Sequence, residues 1–208
     1  MTAIPLPGAK LMTFAEFLNW KPEQKRYELH NGTPIEMQPT GEHEEVVEFL
    51  ATTLTREAGR LNLPYRFPRQ ALIKASEGET GYLPDVIIVD PAELINEPLW
   101  KQSATIIQGK TVVLVVEVVS TNWRDDYGYK LTAYEALGIP EYWIADYLGL
   151  GGIRHIGSPK QPTLSIYSLI ENEYQVQQFH GDDLIQSQLF PDLQITAAQI
   201  FRAGLEES

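Results

Sequence analysis

Apolar and polar positions along this chain follow two different periods, and the switches between them mark its elements. Thr13 precedes Phe14, Phe17 and Leu18, with Glu16 three positions on. That capping-box pattern predicts a short helix. Arg26–His30 and Pro34–Met37 flank Asn31-Gly32, a strong hairpin signal. Asn31-Gly32-Thr33 also fits a glycosylation sequon, but turn chemistry explains it better. Val46, Val47, Leu50, Leu54 and Leu61 recur at helical spacing over about 41–61, with acids on the other face. Tyr65–Lys74 alternates like a strand, Ala75–Gly81 reads as a loop, and Leu83–Val89 is a short apolar strand. Thr111–Ser120 is almost continuously β-branched, which predicts a strand covered on both faces. Trp123–Leu137 is helical, with Gly138 as its stop. Glu141–Tyr147, Thr163–Ile170 and Tyr174–Phe179 read as strands, and Ala197–Phe201 as a closing helix.

The sum is an α/β chain with a central mixed β-sheet flanked by helices and a β-rich C-terminal third. Its 208 residues suit one domain. Within it an N-terminal helix and hairpin cover about 13–37, a core about 40–147, and the β-rich part about 153–201. Gly149–Pro162, rich in glycine and proline, is the one candidate internal boundary. No repeat or low-complexity segment interrupts this order.

Composition narrows the chemistry. With 43% hydrophobic and 21% charged residues the chain has an ordinary globular mix. The absence of cysteine excludes disulfides, thiolate metal sites and a cysteine nucleophile. The formal charge of −12 gives no general attraction to phosphate backbones. The first twenty residues show no basic stretch leading into an apolar one, so export is not expected. The most apolar run, Val112–Val119, is too short to span a bilayer and is broken by Glu117. A cytoplasmic protein without membrane association is the expectation.

Phosphate-binding GxxxxGK[ST], dinucleotide GxGxxG and GxSxG elbow motifs are all missing. The histidines, at 30, 43, 155 and 180, are dispersed and form no HExxH pair. The informative groups are carboxylates. Glu117 lies inside an otherwise apolar strand, where a charge is costly unless paired, metal-bound or protonated. It can also reach water near the strand end, or pair for structure alone. Asp85 follows Pro84 at the start of another apolar strand, a position equally suited to a turn. One carboxylate from each of two neighbouring strands would make a hard-oxygen site for Mg²⁺ or Mn²⁺. Lys130 is the third signal. On a helical wheel it falls in the apolar stripe of Tyr127, Leu131, Tyr134 and Leu137. Snorkelling, an i,i+4 pair with Asp126, or an ammonium turned back toward Glu117 all fit that position.

Pro84-Asp85, Glu117 and Lys130, in this order, resemble the PD-(D/E)xK nuclease superfamily, the restriction endonuclease-like fold. The surrounding residues are similar to its bacterial Uma-type branch. They include Tyr27-Glu28-Leu29 with Gly32, His43 opening a helix, Gln70 before Pro84-Asp85, and Glu117-Val118-Val119-Ser120. Asp126-x-x-x-Lys130-x-x-x-Tyr134 and Gly138-Ile139-Pro140-Glu141-Tyr142-Trp143 complete the set, so the resemblance spans about 13–200. The superfamily's simplest pattern would place lysine two residues after Glu117, where Val119 stands; in this branch it has moved to the following helix.

The resemblance implies metal-dependent hydrolysis of nucleic-acid phosphodiester bonds, with DNA as the expected partner. Asp85, Glu117 and Lys130 would be catalytic. Asp85, Glu117 and the main-chain carbonyl of Val118 would hold Mg²⁺ or Mn²⁺. Glu28 and His43 would be auxiliary, and Asp126 and Tyr134 would orient Lys130, although Asp126 can equally serve the helix macrodipole. Arg66, Arg69 and Lys74 are candidates to line a groove. The plentiful aromatic residues (Trp 4, Tyr 10, Phe 7), and the pairs in which such nucleases often work, make a homodimer compatible with the sequence. Two other classes remain open: an inactive nuclease fold serving as a binding or assembly module, and a metal-dependent hydrolase of a small phosphoester.

Overall fold

The computed structural model describes residues 2–5, 11–22 and 25–205. Its strands are β1 (Thr2–Pro5), β2 (Tyr27–His30), β3 (Thr33–Gln38), β4 (Leu72–Lys74), β5 (Gly81–Tyr82), β6 (Val86–Val89), β7 (Thr105–Ile106), β8 (Val112–Val118), β9 (Glu141–Asp146), β10 (Thr163–Ile170) and β11 (Glu173–Phe179). Its α-helices are α1 (Phe14–Trp20), α2 (Gly41–Arg60), α3 (Pro91–Leu94), α4 (Trp100–Ser103), α5 (Leu131–Ala136), α6 (Ile153–Ile156) and α7 (Ala197–Ala203). The mixed α/β reading holds, with the strands divided between two sheets. One is six-stranded, in the order β1-β3-β2-β5-β4-β7, and the other five-stranded, in the order β11-β10-β9-β8-β6. Among the described residues no helix is long and apolar enough to cross a membrane.

Local chemistry accounts for the clearest elements. Thr13 and Glu16 form the capping box of α1 as the sequence suggests. Asn31 (φ 48°) and Gly32 (φ 80°) both take positive φ, which a two-residue hairpin of this hand requires. Strand alternation then sorts the core. Val86, Ile88, Leu114, Val116 and Val118 face Val46, Leu50 and Leu54 of α2. Ile87, Val89, Val115, Tyr142 and Ile144 face the opposite way, toward Tyr127 and Tyr134. Glu117 shares the parity of Val115, so it is delivered into this second interior.

Two elements come out shorter than the sequence suggests. Tyr65–Lys74 is strand only over Leu72–Lys74, with Arg66 making an isolated bridge to Val89. Pro64 and Pro68 lack the amide donors a continuous ladder needs. Pro84 likewise delays β6 to Val86. The glycine-rich stretch 149–162 joins β9 to β10, which pair with each other as antiparallel neighbours.

Helix 123–137 is not uniformly α. Asp125–Lys130 winds as a π-helix before continuing into α5. Such insertions are rare and often accompany functional side chains.

Candidate active site

Sheet register brings the two acids together. β6 runs antiparallel to β8 with Val86 opposite Val116, which sets Asp85 across from Glu117. The Val118 amide donates to Asp85 Oδ2 at 2.9 Å. Asp85 and Glu117 are almost fully buried, their side chains 2% and 3% exposed.

Lys130 enters from the π-helical turn. Its Nζ lies 2.9 Å from Glu117 Oε2, 3.2 Å from Glu28 Oε1 and 3.4 Å from Asp126 Oδ1. The ammonium is thus turned inward, which decides between the positions the wheel left open. Tyr134 donates its hydroxyl to Glu117 Oε1 at 2.9 Å, so both oxygens of that carboxylate are engaged. Glu28, on β2, belongs to the other sheet; its Oε1 also accepts from the Leu83 amide at 3.1 Å. Lys130 therefore ties the two sheets at one point.

His43, fully buried on the first turn of α2, sits on the other side of the acids. Its Nε2 lies 3.1 Å from the Val118 carbonyl and 3.2 Å from Asp85 Oδ2. The seven side chains expected to be catalytic or auxiliary converge here: Asp85, Glu117, Lys130, Glu28, His43, Asp126 and Tyr134. The Val118 main chain contacts two of them.

Two participants that share the strand face of Glu28 lie outside the candidate set. Arg26 places its guanidinium 3.6 Å from Asp85 Oδ1 and 3.5 Å from Glu44. His30 sits 2.7 Å from Glu28 Oε2. The available signal was the Arg26-x-Glu28-x-His30 alternation, which puts the three on one strand face. Of the candidate groove residues, Lys74 is turned away, its ammonium 5.4 Å from the centre of the Phe14 ring.

Electrostatics follow from four buried carboxylates facing one lysine, with Arg26 and His43 at the margin. Burial pushes Glu117 well above the carboxylate range; Lys130 opposes this, while Asp85, Asp126 and Glu28 add to it. Burial pushes Asp126 up to about 7, against the pull of Lys130. Asp85 goes the other way. Burial would raise it, but His43, Lys130 and Arg26 together hold it below the usual aspartate range. Glu28 is likewise held low, by Lys130 and His30 against the effect of burial. Burial disfavours the Lys130 ammonium, yet the surrounding acids raise its pKa well above the ordinary lysine value.

A hard divalent cation suits this donor set in kind. The ligands on offer are carboxylates and a carbonyl, and the buried Asp85 Oδ1 accepts no hydrogen bond. Among the described residues, no three acidic or imidazole side chains already surround a common point for an ion.

An acid before one strand, a second acid within its neighbour and a lysine from the next helix, set between mixed sheets, define a restriction endonuclease-like class. The sequence profile of the Uma2 family, described as "Putative restriction endonuclease", matches residues 14–198, and the chain belongs to that family. Among solved structures it is similar to a crystal structure described as a putative nuclease belonging to DUF820 from Anabaena variabilis. That match has a TM-score of 0.70 and 14% identity, over 93% of this chain and 99% of the other. At that identity the likeness concerns the fold. No curated protein matches significantly.

Proposed function

We propose that the protein is a metal-dependent endonuclease that hydrolyses phosphodiester bonds in DNA. The observation that carries this reading is the meeting of Asp85, Glu117 and Lys130, three groups from separate elements, around the Val118 peptide. Membership of a family described as restriction endonucleases supports the same reading. Asp85, Glu117 and the Val118 carbonyl would hold Mg²⁺ or Mn²⁺. Such an ion supplies an acidified water and a counter-charge for the phosphate.

The chain's own groups divide the remaining work. Lys130 keeps a full positive charge in a dry site, where it would stabilise charge building on phosphate oxygens. Tyr134 and Asp126 fix its aim by holding Glu117 and the ammonium in place. The Val118 amide and His43 hold Asp85 to one orientation. Glu28 steadies Lys130 from the second sheet.

The test is incubation of purified protein with circular and single-stranded DNA plus Mg²⁺ or Mn²⁺, beside Asp85→Asn, Glu117→Gln and Lys130→Met. Each substitution is expected to lower cleavage by about 100-fold or more, the scale of losing one preorganised charge. Cleavage equal in all four proteins would overturn the assignment. Calorimetric metal binding that depends on Asp85 and Glu117, without cleavage, would point instead to a small phosphoester. Neither activity nor metal binding would indicate a binding module.

A further inference from the structure

Beside Asp85 the surface opens into a cleft of ≈ 870 Å³ between α2 and the 67–69 segment. Arg26, Arg56, Arg69 and Phe67 line it, together with Glu44, Glu45, Glu48 and Asp85. This chain carries 28 acidic residues against 16 basic ones. Even so, among the described residues neither Arg56 nor Arg69 forms an ion pair, and both are exposed. Arg26 is held between Asp85 and Glu44 at 3.6 and 3.5 Å, beyond hydrogen-bond length, and its buried Nε has no partner. Two arginines without ion pairs in an acidic protein, along a cleft that ends on a candidate catalytic carboxylate, mark a track for an anionic chain.

The cleft's aromatic lining chooses the kind of chain. Its volume falls in the range of ligand clefts, about 300–1,000 Å³, room for a few nucleotides. Glu44, Glu45 and Glu48 line it from the first half of α2, so an anionic backbone is confined to the side of the cleft where Arg56 and Arg69 stand. Phe67, half-buried against the core, keeps an aromatic surface in the cleft on which a base can stack.

We infer that this cleft binds single-stranded nucleic acid, with Arg56 and Arg69 on the backbone, Arg26 holding a phosphate at the end of the cleft beside Asp85, and Phe67 stacking a base. The inference rests on the reading of Asp85 as part of a phosphodiester-hydrolysing site, and goes beyond it in naming the strand state and the residues that select it.

The test is fluorescence anisotropy in EDTA, so that cleavage plays no part. The probes are a labelled 12-nucleotide single-stranded DNA, the matching RNA and the matching DNA duplex, with the full chain and an Arg56→Gln/Arg69→Gln variant. Either single strand should bind at least about 10-fold more tightly than duplex. The double variant, unchanged in thermal midpoint, should bind single strands about 10-fold more weakly. Its log–log salt slope should be smaller by about 1.4, two phosphate contacts at about 0.7 each. Phe67→Leu should weaken binding without changing that slope. Equal or tighter duplex binding, no binding of any probe, or an arginine variant identical to the parent would overturn the inference. Metal-dependent cleavage can survive each of those results, and arginine-dependent single-strand binding can survive the absence of cleavage, so the two readings fail separately.

Discussion

Lys130 Nζ lies 2.9 Å from Glu117 Oε2 with both side chains buried, a contact between a strand and a helix thirteen residues apart. Removing the cation would leave Glu117, Glu28 and Asp126 facing one another in a dry interior. Lys130→Met is therefore expected to cost about 3–5 kcal/mol of unfolding free energy. Glu117→Gln in the same chain should restore part of it, because the uncompensated charge is gone. Urea unfolding of the two single variants and the double variant measures the coupling. Additive losses would mean that the pair contributes nothing jointly.

His43 bridges α2 to the loop that carries Asp85. His43→Ala should lose about 2–3 kcal/mol, through an emptied buried site and a Val118 carbonyl and Asp85 oxygen left short of a partner. His43→Gln retains a polar side chain and should lose less. If the proposed function holds, both variants should cleave DNA more slowly even where they remain fully folded, since Asp85 is no longer held. Equal rates in folded His43→Ala would limit His43 to packing.

Asp126 gives the site a pH signature. An unfolded aspartate titrates near ~3.9, whereas burial lifts Asp126 to about 7 in the folded protein. Between these values the folded chain keeps a proton that the unfolded chain has released. Stability from this residue is therefore present below about pH 4, falls as pH rises toward about 7, and is level above that. Asp126→Asn should lack this share of the slope, so it gains on the parent progressively across that window. Urea midpoints from pH 4.5 to 8 would show it. Parallel curves for the two proteins would contradict it.

Glu141 is a buried acid of a different kind. It accepts from the Trp143 indole, from Ser187 Oγ at 2.7 Å, and from the Gln188 and Leu189 amides at 2.9 and 3.1 Å. It ties the C-terminal segment to β9 and has no contact with Lys130. Glu141→Ala should cost several kcal/mol, with at least three donors left unpaired at about 1–3 kcal/mol each. Metal affinity per folded molecule should be unchanged, as calorimetry on the folded fraction would show.

Much of this was legible in the sequence, because local rules decided it. The capping box of Thr13 and Glu16, the Asn31-Gly32 turn and the Gly138 stop (φ 73°) are each set by the residues themselves. Lys130 stood out because a cation in an apolar helical stripe breaks the pattern. The 65–74 strand failed for an equally local reason, since alternation there competes with Pro68 inside the stretch and Pro64 just before it, and the prolines win.

Other features have no local cause. Arg26 and His30 alternate on their strand with Glu28, but nothing in that spacing says which carboxylate each will meet. The division into two sheets depends on which strands exchange hydrogen bonds, and Lys130 meets Glu28 only because the sheets approach at that point. Periodicity thus determined the elements, their buried faces and the parity that turned Glu117 inward. The tertiary structure alone decided that three acids would share one ammonium. The pKa directions follow from that decision, because burial and charge–charge energies depend on distances through space, which spacing along a chain does not encode.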